Sequence, residues 1–186
     1  MVAHCGNQAC TSATQTVLDD AGDVGQFSSV TIGADRLGLI GYYDATNRSL
    51  KVTHCENRIC TSATLTTLDD TGDVGQDTSV AVGVDRLGLI SYHDVTNGNL
   101  KVAHCSNQAC TSATLTTLDS AGEVGQDTSI TIGADGLGLI SYYDATNGNL
   151  KLAHCANRTC TSAILTTVDA SGNVGHNTSL TLGADG

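Results

Sequence analysis

The sequence predicts an all-β protein, a β-propeller of four-stranded antiparallel blades, and three observations carry that reading. A unit of 50 residues repeats along the 186-residue chain. No segment shows a 3.6-residue apolar stripe. Short β-branched runs alternate with Asp-Gly and Asn-Gly turn signals. Lys51-Val52-Thr53-His54-Cys55, Lys101-Val102-Ala103-His104-Cys105 and Lys151-Leu152-Ala153-His154-Cys155 stand in register. Units 51–100 and 101–150 agree at about seven positions in ten. The chain is thus one repeat array, 1–50, 51–100, 101–150 and a truncated 151–186.

The third unit shows the elements most clearly. Ser129-Ile130-Thr131-Ile132-Gly133 is a β-branched run, strand A. Ala134-Asp135-Gly136 is a turn, because Asp-Gly between apolar runs favours a hairpin. Strand B runs from Leu137 to Asp144, and Asn147-Gly148 turns the chain again. Strand C runs from Leu150 to Cys155, a link spans Ala156 to Thr159, and strand D runs from Cys160 to about Val168. Asp169 to Asn177 reads as a polar, Gly-containing loop to the next strand A. A single four-stranded meander leaves two faces open and is not stable alone; stacking copies around an axis buries both. The alternative is a β-solenoid, but its coils pair in parallel and its corners are not tight hairpins.

Counted along the chain, the pattern gives four A, three B, four C and four D strands, beginning in a C and ending just after an A. A closed ring of four blades would therefore be circularly permuted and short by one B strand. Unpaired β edges are templates for addition, so the expected partner is the chain itself, in a larger ring or a filament.

Eight cysteines fall in four pairs, Cys5 with Cys10, Cys55 with Cys60, Cys105 with Cys110, and Cys155 with Cys160. On the strand map each pair faces across the C-to-D hairpin, where opposed residues lie about 4.5–5.5 Å apart, so disulfides are expected. Adjacent strand residues point to opposite faces, so His104 and Cys105 are poorly placed to share a zinc ion. Disulfides imply an oxidising compartment, hence a secreted or cell-surface protein. The N-terminus starts inside a repeat and shows no signal-peptide pattern, so an exported form would be a mature chain or part of a longer one.

Net charge is −11, which argues against nucleic acid or an anionic membrane as partner. No apolar run has the length of a membrane span. Acidic residues cluster after strand D (Asp19, Asp20, Asp23, Asp69, Asp70, Asp73, Asp119, Glu123) and at the end of strand B (Asp44, Asp94, Asp144). Both groups are expected on one face of the propeller, which makes them candidate calcium ligands, although no EF-hand-type loop is present and Asp is also a default turn residue. Tyr42, Tyr43, Tyr92, Tyr142 and Tyr143 are candidate shelves for stacking glycans, the alternative being packing between blades. The repeated His4, His54, His104 and His154 read as strand residues packed on the next blade. Three glycosylation sequons begin at Asn47, Asn157 and Asn177 but fall at different points of the repeat. No nucleophile elbow, phosphate loop, dinucleotide fingerprint or zinc-hydrolase motif is visible, so no enzymatic activity and no cofactor is expected.

The stretch Ile140-Ser141-Tyr142-Tyr143-Asp144-Ala145-Thr146-Asn147-Gly148-Asn149-Leu150-Lys151-Leu152-Ala153 resembles the blade repeat of secreted bacterial and archaeal β-propeller repeat proteins, as does the segment Gly122 to Ser129. The resemblance covers essentially the whole chain. It departs where such repeats often carry Pro after the Asp-Gly turn, since Gly38, Gly88 and Gly138 stand there. It implies an architecture and an extracellular life, and no one activity. The function expected from all this is a non-enzymatic extracellular scaffold that self-associates, the alternative being a multivalent glycan-binding, lectin-like propeller.

Overall fold

The computed structural model describes residues 1–183, so residues 184–186 of the fourth unit lie outside it. It contains strands only, with three four-stranded antiparallel sheets and one two-stranded sheet. The two-stranded sheet is β1 (Val2–Cys5) and β2 (Ala13–Thr16). Blade 1 is β3 (Val24–Ile32), β4 (Gly38–Asp44), β5 (Ser49–Cys55) and β6 (Ala63–Asp69). Blade 2 is β7 (Val74–Val82), β8 (Gly88–Asp94), β9 (Asn99–Cys105) and β10 (Ala113–Asp119). Blade 3 is β11 (Val124–Ile132), β12 (Gly138–Asp144), β13 (Asn149–Cys155) and β14 (Ala163–Asp169). Each blade is an up-and-down meander in the order A-B-C-D. Every pairing is antiparallel and stays within a blade, which rules out the solenoid.

Blades stack face to face, and the core lies between them. One cluster joins Leu39, Leu50 and Val52 of blade 1 to Val74, Val80, Ile90, Tyr92 and Ala103 of blade 2. The next joins Leu89, Leu100 and Val102 to Val124, Ile130, Ile140, Tyr142 and Ala153. Each of these clusters is filled by aliphatic side chains and a single tyrosine. The sheets do not close into a ring, and the architecture is an incomplete propeller.

Strand A begins earlier than its sequence suggests. In blade 3 it starts at Val124, not Ser129, and its ladder slips between Val124 and Gln126 and again between Gln126 and Ser129. Gly125 and Asp127 take positive φ at these slips, 90° and 54°. Bulges thus disguise the first half of the strand as a polar loop. The fourth strand A, expected over residues 179–183, is not a strand. Its chain still packs on blade 3: the Leu180 N–H donates to Ser129 Oγ at 3.0 Å, as Val80 does to Ser29 and Ile130 to Ser79. Strand A has no ladder partner but strand B, so without a B strand beside it the segment follows the path of a strand and forms none.

All four cysteine pairs are bridged, with Cα atoms 4.8–5.0 Å apart. Their placement differs from the cross-strand one expected. Cys55 pairs in register with Ala63, while Cys60 sits in the connecting loop at φ 53°. The loop is held by a Cys60 N–H to Asn57 O bond and by Asn57 bonded to Thr61. The bridges also explain why glycine stands after the A–B turn. A Cβ on Gly88 would lie 2.8 Å from Cys105 Sγ and 2.7 Å from Leu39 Cδ2 of the preceding blade. The glycine makes room for the disulfide and for a leucine of the neighbouring blade.

Candidate functional site

Each inter-blade interface repeats one polar clasp. Asp69, at the end of β6, accepts a hydrogen bond from the Tyr92 hydroxyl at 2.8 Å and one from Lys101, both of the following blade. Asp119 holds Tyr142 and Lys151 in the same way, and Asp19, beyond β2, holds Tyr42 and Lys51 of blade 1. Each lysine ammonium also lies 5.6–5.8 Å from the ring centre of its tyrosine. Burial pushes the Asp69 carboxyl upward, but the bonds from Lys101, Thr71 and Tyr92 outweigh it and hold the group below the ordinary carboxylate range. Burial and the Asp69 charge push the Tyr92 phenol far up, so it stays a neutral donor.

The five tyrosines proposed as glycan shelves are all buried, none more than 6% exposed. Tyr42, Tyr92 and Tyr142 bind the clasp, while Tyr43 and Tyr143 donate to Asp73 and Asn173 of the next repeat. Their rings are consumed by blade packing and present no stacking face. The proposed calcium ligands are likewise dispersed. Asp19 and Asp69 serve the clasp, and Asp44, Asp94 and Asp144 accept from Asn47, Asn97 and Asn147 at the B–C turn. Asp73 receives Tyr43, Asp23 receives the Gln26 side chain, and Asp20 is exposed. Among the described residues no three His, Cys, Asp or Glu side chains come together as a metal site. The histidine column has a role that sequence reading missed: His54, His104 and His154 bond Asp35, Asp85 and Asp135 of their own A–B turns at 2.8–2.9 Å. His54 and His104 are also buried under the next blade, and His154, with none beside it, is open.

His93 breaks the Tyr43 and Tyr143 column. It is buried, and its Nε2 has no hydrogen-bond partner among the described residues. A tyrosine here would extend toward Glu123, the counterpart of Asp73 and Asn173. Burial pushes the imidazole below its ordinary value, against the opposing pull of Asp77, Glu123, Asp94 and Asp73. A base with a lowered folded value favours the folded state while neutral, so stability is lost as pH falls through the unfolded value near 6.5. His93→Tyr is therefore expected to stabilise the chain by about 1 kcal/mol at pH 7.5 and by more at pH 5.5. Denaturant titrations at both pH values check this, and an equal gain at each would refute the titration argument.

Apolar side chains that the internal interfaces bury are open at the two ends of the array. Val30 is 64% exposed, while its counterparts Val80 and Ile130 are 8% and 7% exposed. Val24 and Ile40 are partly open where Val74, Val124, Ile90 and Ile140 are fully buried. These residues line a cavity of about 310 Å³ between β1 and blade 1, which also touches Val2, Ser28 and Tyr42. At the opposite end Leu139, Leu150 and Leu152 are partly open, where Leu39, Leu50 and Val52 are buried. Sequence reading passed over all six because each is apolar in every repeat. Only their position in the first A–B or the last B–C pair marks them.

No protein-family model matches the chain, and no curated protein does. Solved structures do. A protein of unknown function from Dyadobacter fermentans DSM 18053 superposes with a TM-score of 0.65 at 10% identity, over 89% of this chain and 51% of that one. A GH43 β-1,3-galactosidase gives 0.56 at 11%, over 77% and 31%. An α-L-arabinofuranosidase from Lactobacillus brevis gives 0.50 at 11%, over 76% and 53%. This chain spans about half the length of the first of these, and at such identities the likeness is one of fold: four-stranded antiparallel blades arrayed as in propeller glycoside hydrolases.

Proposed function

We propose that the chain is a non-enzymatic extracellular structural module that associates with further copies through its end faces. One observation carries the reading: side chains sealed between blades inside the array are open at its two ends, as Val30 is against Val80 and Ile130. The faces are complementary by construction. Each face is partly covered by the chain's own segments, blade 1 by β1–β2 and blade 3 by residues 173–180. The leucines still partly open at one end, Leu139 and Leu152, are of the kind an internal interface takes from the preceding blade, and Val30 and Ile40 at the other end belong to the surface that receives them. Such contacts are head-to-tail, so they close a ring or propagate as a filament. The four disulfides fit an oxidising compartment, and among the described residues no helix is long and apolar enough to cross a membrane.

Sedimentation velocity over a micromolar concentration series tests the reading. Oligomers that grow with concentration are expected, and Val30→Asp, at an exposed position, is expected to weaken them while the fold stays intact. A strict monomer throughout the series would overturn the proposal. Glycan binding as a second reading lost its tyrosine shelf to burial, and a glycan array would restore it only by showing a ligand bound elsewhere.

A further inference from the structure

We infer that the open edge of β1, with the cavity beside it, is an acceptor for one added antiparallel strand of sequence Leu-x-Ser-x-Tyr, supplied by another molecule carrying this repeat. The inference rests on reading this end as an association surface and names the segment that the surface takes. In every complete blade strand C is paired on both sides, with B and with D. β1 is a strand C by its repeat position, yet among the described residues it pairs only with β2. Its other edge therefore presents free backbone groups.

The internal interfaces show what belongs there. Three alternate residues of strand B reach across to the next blade, and each has a fixed receptor. Leu39 and Leu89 approach Gly88 and Gly138, with Cδ2 2.7 Å from where a Cβ would stand. Ser91 and Ser141 bond Thr128 and Thr178 at 2.7 and 2.9 Å. Tyr43 and Tyr143 donate to Asp73 and Asn173 at 2.7 and 2.6 Å. Blade 1 carries the corresponding receptors unfilled. A Cβ on Gly38 would meet only Cys55, with no leucine from a preceding blade. Ser28 lines the cavity, and Asp23 is exposed with only the Gln26 side chain donating to it. Three vacant receptors at the spacing of alternate residues on one strand, beside an unpaired edge, define both register and direction. By the B–C ladder of blade 3, the leucine of the added strand stands opposite His4 and the serine opposite Val2. Main-chain pairing supplies affinity and the three receptors supply selectivity.

The test uses the full chain and a fluorescein-labelled peptide with the sequence of residues 138–148, Gly-Leu-Ile-Ser-Tyr-Tyr-Asp-Ala-Thr-Asn-Gly. Fluorescence anisotropy is expected to show saturable binding, and hydrogen exchange is expected to slow at residues 2–5. The same peptide with Leu139→Asp should bind at least about tenfold more weakly. Asp23→Ala in the protein, an exposed position, should weaken the parent peptide about three- to tenfold through the lost tyrosine bond. No saturable binding, or equal binding of the two peptides, would overturn the inference. The outcomes separate it from the association reading: a chain that oligomerises but ignores the peptide loses the acceptor edge and keeps end-to-end assembly, and a monomer that binds it selectively does the reverse.

Discussion

Asp69→Ala is expected to lower the unfolding free energy by about 3–5 kcal/mol, because it strands a buried lysine and a buried phenol together. Asp69 is 2% exposed, Tyr92 is fully buried and Lys101 is 8% exposed. With the carboxylate gone, the Lys101 ammonium keeps only the Asp94 carboxylate, 3.9 Å away, and the Tyr92 hydroxyl has no acceptor. The loss falls in the middle of the array, where blades 1 and 2 meet, so both blades feel it. Asp19→Ala removes the same clasp from the end of the array, where its partner sheet is the two-stranded β1–β2. That change is expected to free β1–β2, seen as faster amide exchange there, with little effect on the main unfolding transition. The clasp also sets an acid limit. A carboxylate held below its ordinary value contributes stability above the unfolded value near 3.9, and that stability is lost as pH falls through the lowered folded value. Asp69 behaves this way, so the Asp69→Ala deficit should shrink as pH falls below the unfolded value near 3.9. Urea titrations at pH 7 and pH 3 check both statements. A deficit under about 1 kcal/mol at pH 7 would show that the clasp does not hold the blades together.

Most of the blade was legible because its signals are local. Asp-Gly and Asn-Gly turns, β-branched runs and paired cysteines each act within a few residues, so strands B and C sit within a residue of where the sequence puts them. Strand A was half hidden, since the bulge at Gly125 and Asp127 needs polar and glycine residues that read as loop. The site was less legible, for a different reason. Whether Tyr92 is a shelf or a clasp depends on Asp69, which is 23 residues away and on another blade. Repeat period gives the position of such pairs but not the direction in which one blade reaches the next. The same holds for Val30. In the sequence it matches Val80 and Ile130, and only the packed array shows that nothing covers it.

Gly125→Ala should cost about 3 kcal/mol or more, and Gly25→Ala about 1 kcal/mol, although the two glycines have nearly the same backbone. Their φ values are 90° and 93°. A left-handed conformation costs an alanine about 1–2 kcal/mol wherever it stands, so that part is common to both variants. The surroundings differ. A Cβ on Gly125 would stand 2.6 Å from Leu100 Cα and 2.8 Å from Leu100 N of the preceding blade, and backbone cannot swing aside as a side-chain tip can. Relieving that contact means moving blade 3 away from blade 2 and opening the cluster around Leu100, Val124 and Ile140, which adds about 1–3 kcal/mol. At Gly25 nothing lies within 4 Å. Gly75, 2.7 Å from Leu50 Cα by the same construction, should behave like Gly125. Chemical denaturation of the three variants measures how closely successive blades approach: equal losses at Gly25 and Gly125 would mean that backbone strain alone explains these glycines, and a larger loss at Gly75 and Gly125 would place the cost in blade-to-blade contact. The same comparison, repeated at concentrations where the chain associates, tells whether the surface around Gly25 becomes an interface, since its alanine would then turn from mild to disruptive as the open face is covered.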